Sequence, residues 1–357
     1  MGEIKIPPAP LTGTKLVESI NKGFDKLYQA NRDNYIINSS FKVWQRGTSF
    51  EIGDYYAFNK YTADRYKANL AKVTRQEFSV TQKDVPGYPE YFMSVSALAT
   101  PRTWSHVGQE IENVRLIAGK TVVLSFYAKS AIGSNVYIQH GYYYGKDNET
   151  NQGYEFFEEP IKLTSDWKRY FKVIQFPEII ATKITESNYV FVNFYGAKDV
   201  AINYQFDLAN IKLEDGEIAT PYKELPYDLE LFDCYRYFQK INASNAQCGD
   251  ISLGTVYYDS AAGNGVCFYP LQFLRPMRAI PSASYDGTNA AYTINVGISS
   301  YRVGTINFLN ESNAGALVKC NVLSYPNDTS PKPCVIVQTP NGRPWGWQLD
   351  AEYGEEN

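Results

Sequence analysis

The sequence predicts a mainly β chain: an antiparallel sandwich at its centre, a short coiled-coil helix before it and a second β unit after it. Three observations carry that expectation. Aromatic residues make up 15% of the 357, with Tyr 30 and Phe 19, and these side chains favour pleated, half-buried surfaces. Hydrophobic residues reach 44% and charged residues 20%, enough apolar matter for sizeable cores. From Ile36 to about Lys223 the pattern repeats every two residues, in runs broken by turn clusters such as KDNETNQG and SAIGSN.

The elements follow in order. Pro7, Pro8 and Pro10 keep the first ten residues extended. A helix is expected from about Thr14 to Asn34, because Val17, Ile20, Phe24, Leu27, Asn31 and Asn34 step by three and four. A seam this short cannot hold a coiled coil alone in water. It makes sense if larger domains behind it already associate, with the polar seam positions setting register; an amphipathic helix packed on its own chain is the other reading. In TVVLSFYAK, Val122, Leu124, Phe126 and Ala128 alternate with Val123, Ser125, Tyr127 and Lys129. In NVYIQHGYYY, Val136, Ile138, His140 and Tyr142 share one face, and in WKRYFKVIQF, Trp167, Arg169, Phe171 and Val173 share another. Strands that each bury one face give an antiparallel sandwich. Residues 224–242 read as a helical connector after Pro226, with Leu229, Phe232, Tyr235, Arg236 and Phe238 along one side. Beyond residue 243 the chain is turn-rich. Between 246 and 349 it carries five acidic and six basic side chains, about half the charge density of the whole. Such a surface suits burial against copies of itself, or contact with sugars.

Several function classes are set aside here. The formal net charge is −4 with no long basic run, which argues against nucleic acid as the main partner. No stretch approaches the roughly 20 apolar residues of a membrane span. MGEIKIPPAP lacks a signal-peptide core, and Ile6 stands where a myristoylation signal needs Ser or Thr. Two histidines, His106 and His140, and five cysteines without a C-x-x-C pair give no zinc pattern. The cysteines read as buried thiols of a reducing cytoplasm, with one disulfide in the C-terminal region left open.

Four segments, in order, resemble bacteriophage tail-fibre proteins. NYIINSSFKVWQRGTSF, with Asn38, Phe41, Trp44, Gln45, Arg46 and Gly47, is similar to the opening strand of their jelly-roll domain. YTADRYK supplies Thr62, Ala63, Asp64 and Arg65, with Tyr66 where Trp is more usual; HVGQEIENVRLIAGKTVVLSFYAKS resembles a core-strand block. FDLANIKLEDGEIATPYKELPYDLELFDCYRYFQKI resembles the closing strand and the exit into a distal head; beyond these four, GVCFYPLQFLRPMRAIPSASY looks like the strand, Met-Arg-x-x-Pro, strand phrase of such heads.

The resemblance implies a homotrimeric virion protein of the phage tail, made in the host cytoplasm. Residues 1–34 would form the attachment segment and trimerising helix, 35–223 a jelly roll like carbohydrate-binding modules, 224–242 the connector and 243–357 a β head. Its partners would be itself, other virion proteins at the N-terminus, and host polysaccharide or an outer-membrane receptor. A strut without a receptor, on head or baseplate, is the alternative.

As chemistry, the shared motifs read as structural. Arg46 orders a turn, Asp64 and Arg65 pair or cap loop backbone, and Phe206, Leu208, Ile211 and Leu213 form core, with Asp207, Glu214 and Asp215 exposed or in loops. Carbohydrate-module jelly rolls often hold calcium, and Asp207 could serve; the opening stretch offers no carboxylate, so no cofactor or metal is expected. Glycosidases need two paired carboxylates; pairs such as Glu155 with Glu158 and Glu159 arise easily among 38 acidic residues, and no β-helix repeat or hydrolase motif occurs. The expectation is a non-catalytic binder that stacks sugar rings on aromatic side chains. The candidate platforms are Trp104 near His106, the run Tyr142, Tyr143 and Tyr144, and the pair Trp345 and Trp347. Alternation sets Tyr143 against its two neighbours.

Overall fold

The computed structural model describes residues 33–53, 60–145, 152–157, 159–178, 184–185, 187–241, 253–285, 292–296, 299–309, 312–338 and 347–352. Within them the chain forms strands β1 (Ser49–Glu51), β2 (Lys60–Tyr61), β3 (Tyr66–Asn69), β4 (Ala71–Glu77), β5 (Tyr91–Ala97), β6 (Ser105–Ile111), β7 (Thr121–Lys129), β8 (Asn135–Tyr143), β9 (Gln152–Phe156), β10 (Ile161–Lys162), β11 (Lys168–Gln175), β12 (Tyr189–Ala197) and β13 (Gln205–Asp215). A helix α1 (Tyr227–Cys234) follows. Then come β14 (Phe238–Ile241), β15 (Leu253–Asp259), β16 (Asn264–Gln272), β17 (Ser282–Tyr285), β18 (Tyr292–Val296), β19 (Ser299–Leu309), β20 (Gly315–Val322), β21 (Lys332–Gln338) and β22 (Trp347–Asp350).

The first thirteen strands make an antiparallel, jelly-roll-like sandwich. One sheet runs β1-β4-β5-β13-β7-β11; the other runs β10-β8-β12-β6-β3-β2, with β9 added on β8. Alternation decides what lies between them. Val122, Leu124, Phe126 and Ala128 of β7 face Val190, Val192 and Phe194 of β12 in one buried cluster, and Phe126 meets Phe194 edge to face at 5.0 Å. Strand β13 enters the same core with Phe206, Leu208, Ile211 and Leu213. The three-residue step in that series is a bulge between Ala209 and Lys212, where one extra residue restores the facing.

Edge strand β11 keeps Phe171 and Val173 together on its outward face and buries Ile174 on the other. Other expectations are corrected. Asp207 and Glu214 are buried: Gln205 Nε2 donates to Asp207 Oδ1 at 2.6 Å, and the Thr220 N–H donates to Glu214 Oε1 at 2.8 Å. The connector is a short helix followed by a strand. Its buried side is Glu230, Asp233 and Cys234 rather than Leu229 and Phe232, because Glu230 accepts the Asn38 N–H at 2.7 Å and Asp233 accepts Arg275 Nη1 at 3.1 Å.

The C-terminal unit is a closed barrel, β15-β16-β20-β19-β18-β21, beside a small sheet β14-β22-β17. The WQRG and TADR motifs tie the sandwich to this unit. Arg46 lays its guanidinium 3.6 Å over the Phe238 ring and donates to Asp350 Oδ2 at 2.7 Å. Arg65, fully buried, stacks 3.4 Å over Tyr237 and pairs with buried Glu352. Asp64 caps the loop by accepting the Gln45 N–H at 2.8 Å. Positions 17–31 of the expected seam lie outside the described residues. Asn34 is described: its amide donates to the Ile211 carbonyl at 2.9 Å, and its oxygen accepts the Leu213 N–H at 2.9 Å, so it docks on β13.

Candidate ligand-binding face

The outer face of the sheet carrying β8, β12 and β6 is rich in aromatic and amide side chains, of which Tyr61, Asn69, Gln139 and Tyr195 are buried by their neighbours. In β12 the sequence YVFVNFYG puts Val190, Val192 and Phe194 inside, so Tyr189, Phe191, Asn193 and Tyr195 must face out. Register then lines up four rows across the strands. One row is Asn69, His106, Tyr195 and Tyr137; the next is Tyr61, Lys67, Gly108, Asn193, Gln139 and Phe156. The others are Glu110, Phe191, Gly141 and Tyr154, then Tyr189 beside Tyr143.

Two glycines allow these side chains to lie flat. A β-carbon at 108 would overlap Asn193 Oδ1, and one at 141 would strike the Phe191 ring at 2.6 Å. Polar groups in the middle rows brace one another. Gln139 Oε1 accepts from Asn193 Nδ2 at 2.9 Å and from the Tyr195 hydroxyl at 3.1 Å. Glu110 is the carboxylate of these rows among the described residues. It takes Lys67 Nζ at 2.8 Å and the Tyr61 hydroxyl at 3.3 Å, and with burial it holds the Tyr189 phenol above the usual range.

Trp104 closes one end. It is 42% exposed and stands edge-on to Tyr195 and tilted to Phe156, each at 6.1 Å between ring centroids. Its backbone is left-handed, φ 57°, a conformation that costs a bulky residue free energy and persists only where the surroundings enforce it. Here they do. The Trp104 N–H donates to the Lys198 carbonyl at 2.9 Å, Asn69 Nδ2 donates to the Trp104 carbonyl at 3.4 Å, and His106 Nδ1 lies 3.0 Å from that carbonyl. His106 also packs on Tyr195 at 4.4 Å. Burial lowers its pKa from 6.5 to about 4, and Lys67 adds to the shift against the Trp104 carbonyl. Beside this corner opens a cleft of about 390 Å³, lined by Tyr137, Phe156, Phe157, Lys198, Asp199, Val200 and Ile202.

The sequence-derived candidates separate. Tyr143 is on the outer face, 5.2 Å from Tyr189. Tyr142 and Tyr144 pack on each other with tilted rings at 4.8 Å and turn inward, Tyr144 within the core, as alternation requires. Trp345 lies outside the described residues; Trp347 pairs with Ile241 and Tyr285 through the backbone of β22. His140 is packed against Phe157 and Phe176. Sequence reasoning missed Tyr189, Phe191, Asn193 and Tyr195. The available signal was a strand with aromatics on both faces, of which the face bearing asparagine points away from the core.

A jelly-roll-like sandwich with an aromatic, amide-bearing outer sheet face, joined to a closed barrel, is thus what the chain builds. No family model matches it and no curated protein matches it. Among solved structures it is similar to the xylan-binding domain of a family 22 carbohydrate-binding module from Paenibacillus barcinonensis, at 15% identity, 47% of this chain, 98% of that one and TM-score 0.32. It is similar also to a family 11 carbohydrate-binding module of a Clostridium thermocellum cellulase, at 16% identity, 52% and 96% coverage and TM-score 0.30. A third is the enzymatically active domain of tailspike protein 4 of bacteriophage CBA120, at 14% identity and TM-score 0.32, covering 52% of this chain and 22% of that one.

Proposed function

We propose that this chain is a non-catalytic glycan-binding protein of a phage tail fibre, and that it grips host surface polysaccharide with the outer face described above. The observation that carries the reading is Trp104: an exposed indole held in a costly backbone conformation by three polar contacts, next to amides and a cleft. Sugar rings stack their C–H faces on aromatic rings while their hydroxyls meet amides and phenols. Tyr189, Phe191 and Tyr143 extend the aromatic surface toward the other end of the sheet, with Asn193 and Gln139 between. Glu110, already engaged with Lys67, Tyr61 and Tyr189, is poorly placed to act as one of two glycosidase carboxylates.

The phage setting rests on the ordered resemblance of residues 35–241 to tail-fibre domains. In that setting three copies would multiply a weak single-site affinity through effective concentration. Purified protein added to host cells should block adsorption of the parent phage and release no polysaccharide fragments on size-exclusion chromatography. Unimpaired adsorption at saturating protein would favour the strut reading; released fragments would favour an enzyme.

A further inference from the structure

Among the described residues the barrel interior holds three buried cysteines: Cys267 on β16, Cys320 on β20 and Cys334 on β21. Cys267 and Cys334 are 67 positions apart in the chain and flank β15 from opposite sides, one opposite Val256 and the other opposite Gly254. Neighbouring strands lie about 4.8 Å apart, so side chains separated by a whole strand meet only where a sheet curls tightly. Here the barrel closes and the two Sγ atoms come within 3.2 Å. The residue beneath them allows it: a β-carbon at Gly254 would stand 3.3 Å from Cys267 Sγ and 2.6 Å from the Phe268 carbonyl oxygen.

We propose that Cys267 and Cys334 are a modification site: a thiol pair that becomes a disulfide when the protein meets an oxidising medium, closing the barrel covalently across β15. The oxidant is a small-molecule disulfide. The Cys334 thiolate attacks one of its sulfurs, forming a mixed disulfide and releasing one small thiol. The Cys267 thiol gives up its proton, and its sulfur displaces the second small thiol. One external disulfide is reduced by two electrons, two protein thiols are oxidised, and one protein S–S bond forms. A disulfide of about 2.05 Å requires the sulfurs to close by roughly 1.2 Å.

The pair is polarised for this order of events. Cys267 and Cys334 share one S–H···S contact; that contact and a Gly254 backbone hydrogen bond to the Cys334 sulfur lower the Cys334 thiol against the effect of burial. Cys267 is held as the thiol by the same contact and by burial. Because both sulfurs are buried, exchange needs local opening of the barrel and is slow. The closed loop is long, so the bond restricts the unfolded chain and raises Tm.

The test uses the full chain, incubated folded with oxidised glutathione or with dithiothreitol, then unfolded, alkylated and peptide-mapped. The expected result is a Cys267–Cys334 linked peptide, three alkylated cysteines of the five, and a higher Tm after oxidation than after reduction. Cys334→Ser is expected to lose both the link and the oxidant-dependent rise in Tm. Should that variant not fold, the map of the unaltered chain decides alone. Five alkylated cysteines after prolonged oxidation would overturn the proposal, as would a link from Cys267 to Cys320.

Discussion

His106, bonded to the Trp104 carbonyl, gives the site an acid sensitivity that burial sets and that carbonyl opposes. His106 titrates at about 4 in the folded chain against an ordinary 6.5, burial being the first cause. Between those values the unfolded chain holds a proton on this residue that the folded chain does not. Stability therefore falls as pH drops from about 6.5 toward about 4, and levels off below. Burial lowers His140 too, in the same direction. Unfolding midpoints in denaturant between pH 7 and 4 are expected to decline, and His106→Gln should flatten the slope; an unchanged slope in that variant would contradict the assignment. None of this was legible in the sequence. The sequence offered Trp104 as an aromatic near His106, but neither the left-handed backbone nor the Lys198 and Asn69 contacts has a local signal.

At the scale of elements, the face depends on strands that leave room for their neighbours' side chains. Gly108 is the sharpest case, since its missing β-carbon is where Asn193 Oδ1 sits. Gly108→Ala should force the Asn193 amide aside and cost about 1–3 kcal/mol by overpacking, read as a lower denaturation midpoint with weaker ligand binding. An unaltered midpoint would contradict that packing. Period-two alternation made most of this sheet readable: it separated Tyr143 from Tyr142 and Tyr144, and it placed the core positions of β7 and β13. It failed where neighbouring side chains or a loop cover a polar residue on the outer face. Asp207 and Glu214 looked like solvent residues, yet hydrogen bonds with Gln205 and Thr220 keep them buried. Helix α1 also resisted pattern reading, because its buried side is acidic and bonds loop backbone and Arg275.

For the whole molecule, the WQRG and TADR motifs are a joint between the sandwich and the C-terminal unit. Arg65 and Glu352 lie 287 positions apart and are both buried, a pairing no one-dimensional pattern exposes. Removing one partner leaves a buried charge short of compensation, so Glu352→Gln should cost about 3–5 kcal/mol, checked by equilibrium unfolding. A variant as stable as the parent would dissolve the joint. Association belongs to this scale too. The three-and-four spacing of Val17 to Asn34 in the sequence and the charge-poor C-terminal third lead us to expect a trimer; sedimentation equilibrium should give three times the 40.4 kDa chain mass, and a monomer at micromolar concentration would remove that support.

The measurement closest to the central claim is a glycan array probed with the full chain and with Trp104→Ala, after both give the same unfolding midpoint. Loss of one stacked ring is worth roughly 1.4 kcal/mol, about tenfold in affinity. The account predicts binding to a defined set of bacterial polysaccharides by the parent chain and about tenfold weaker binding by the variant. No binding by the parent, or equal binding by the two, would contradict it.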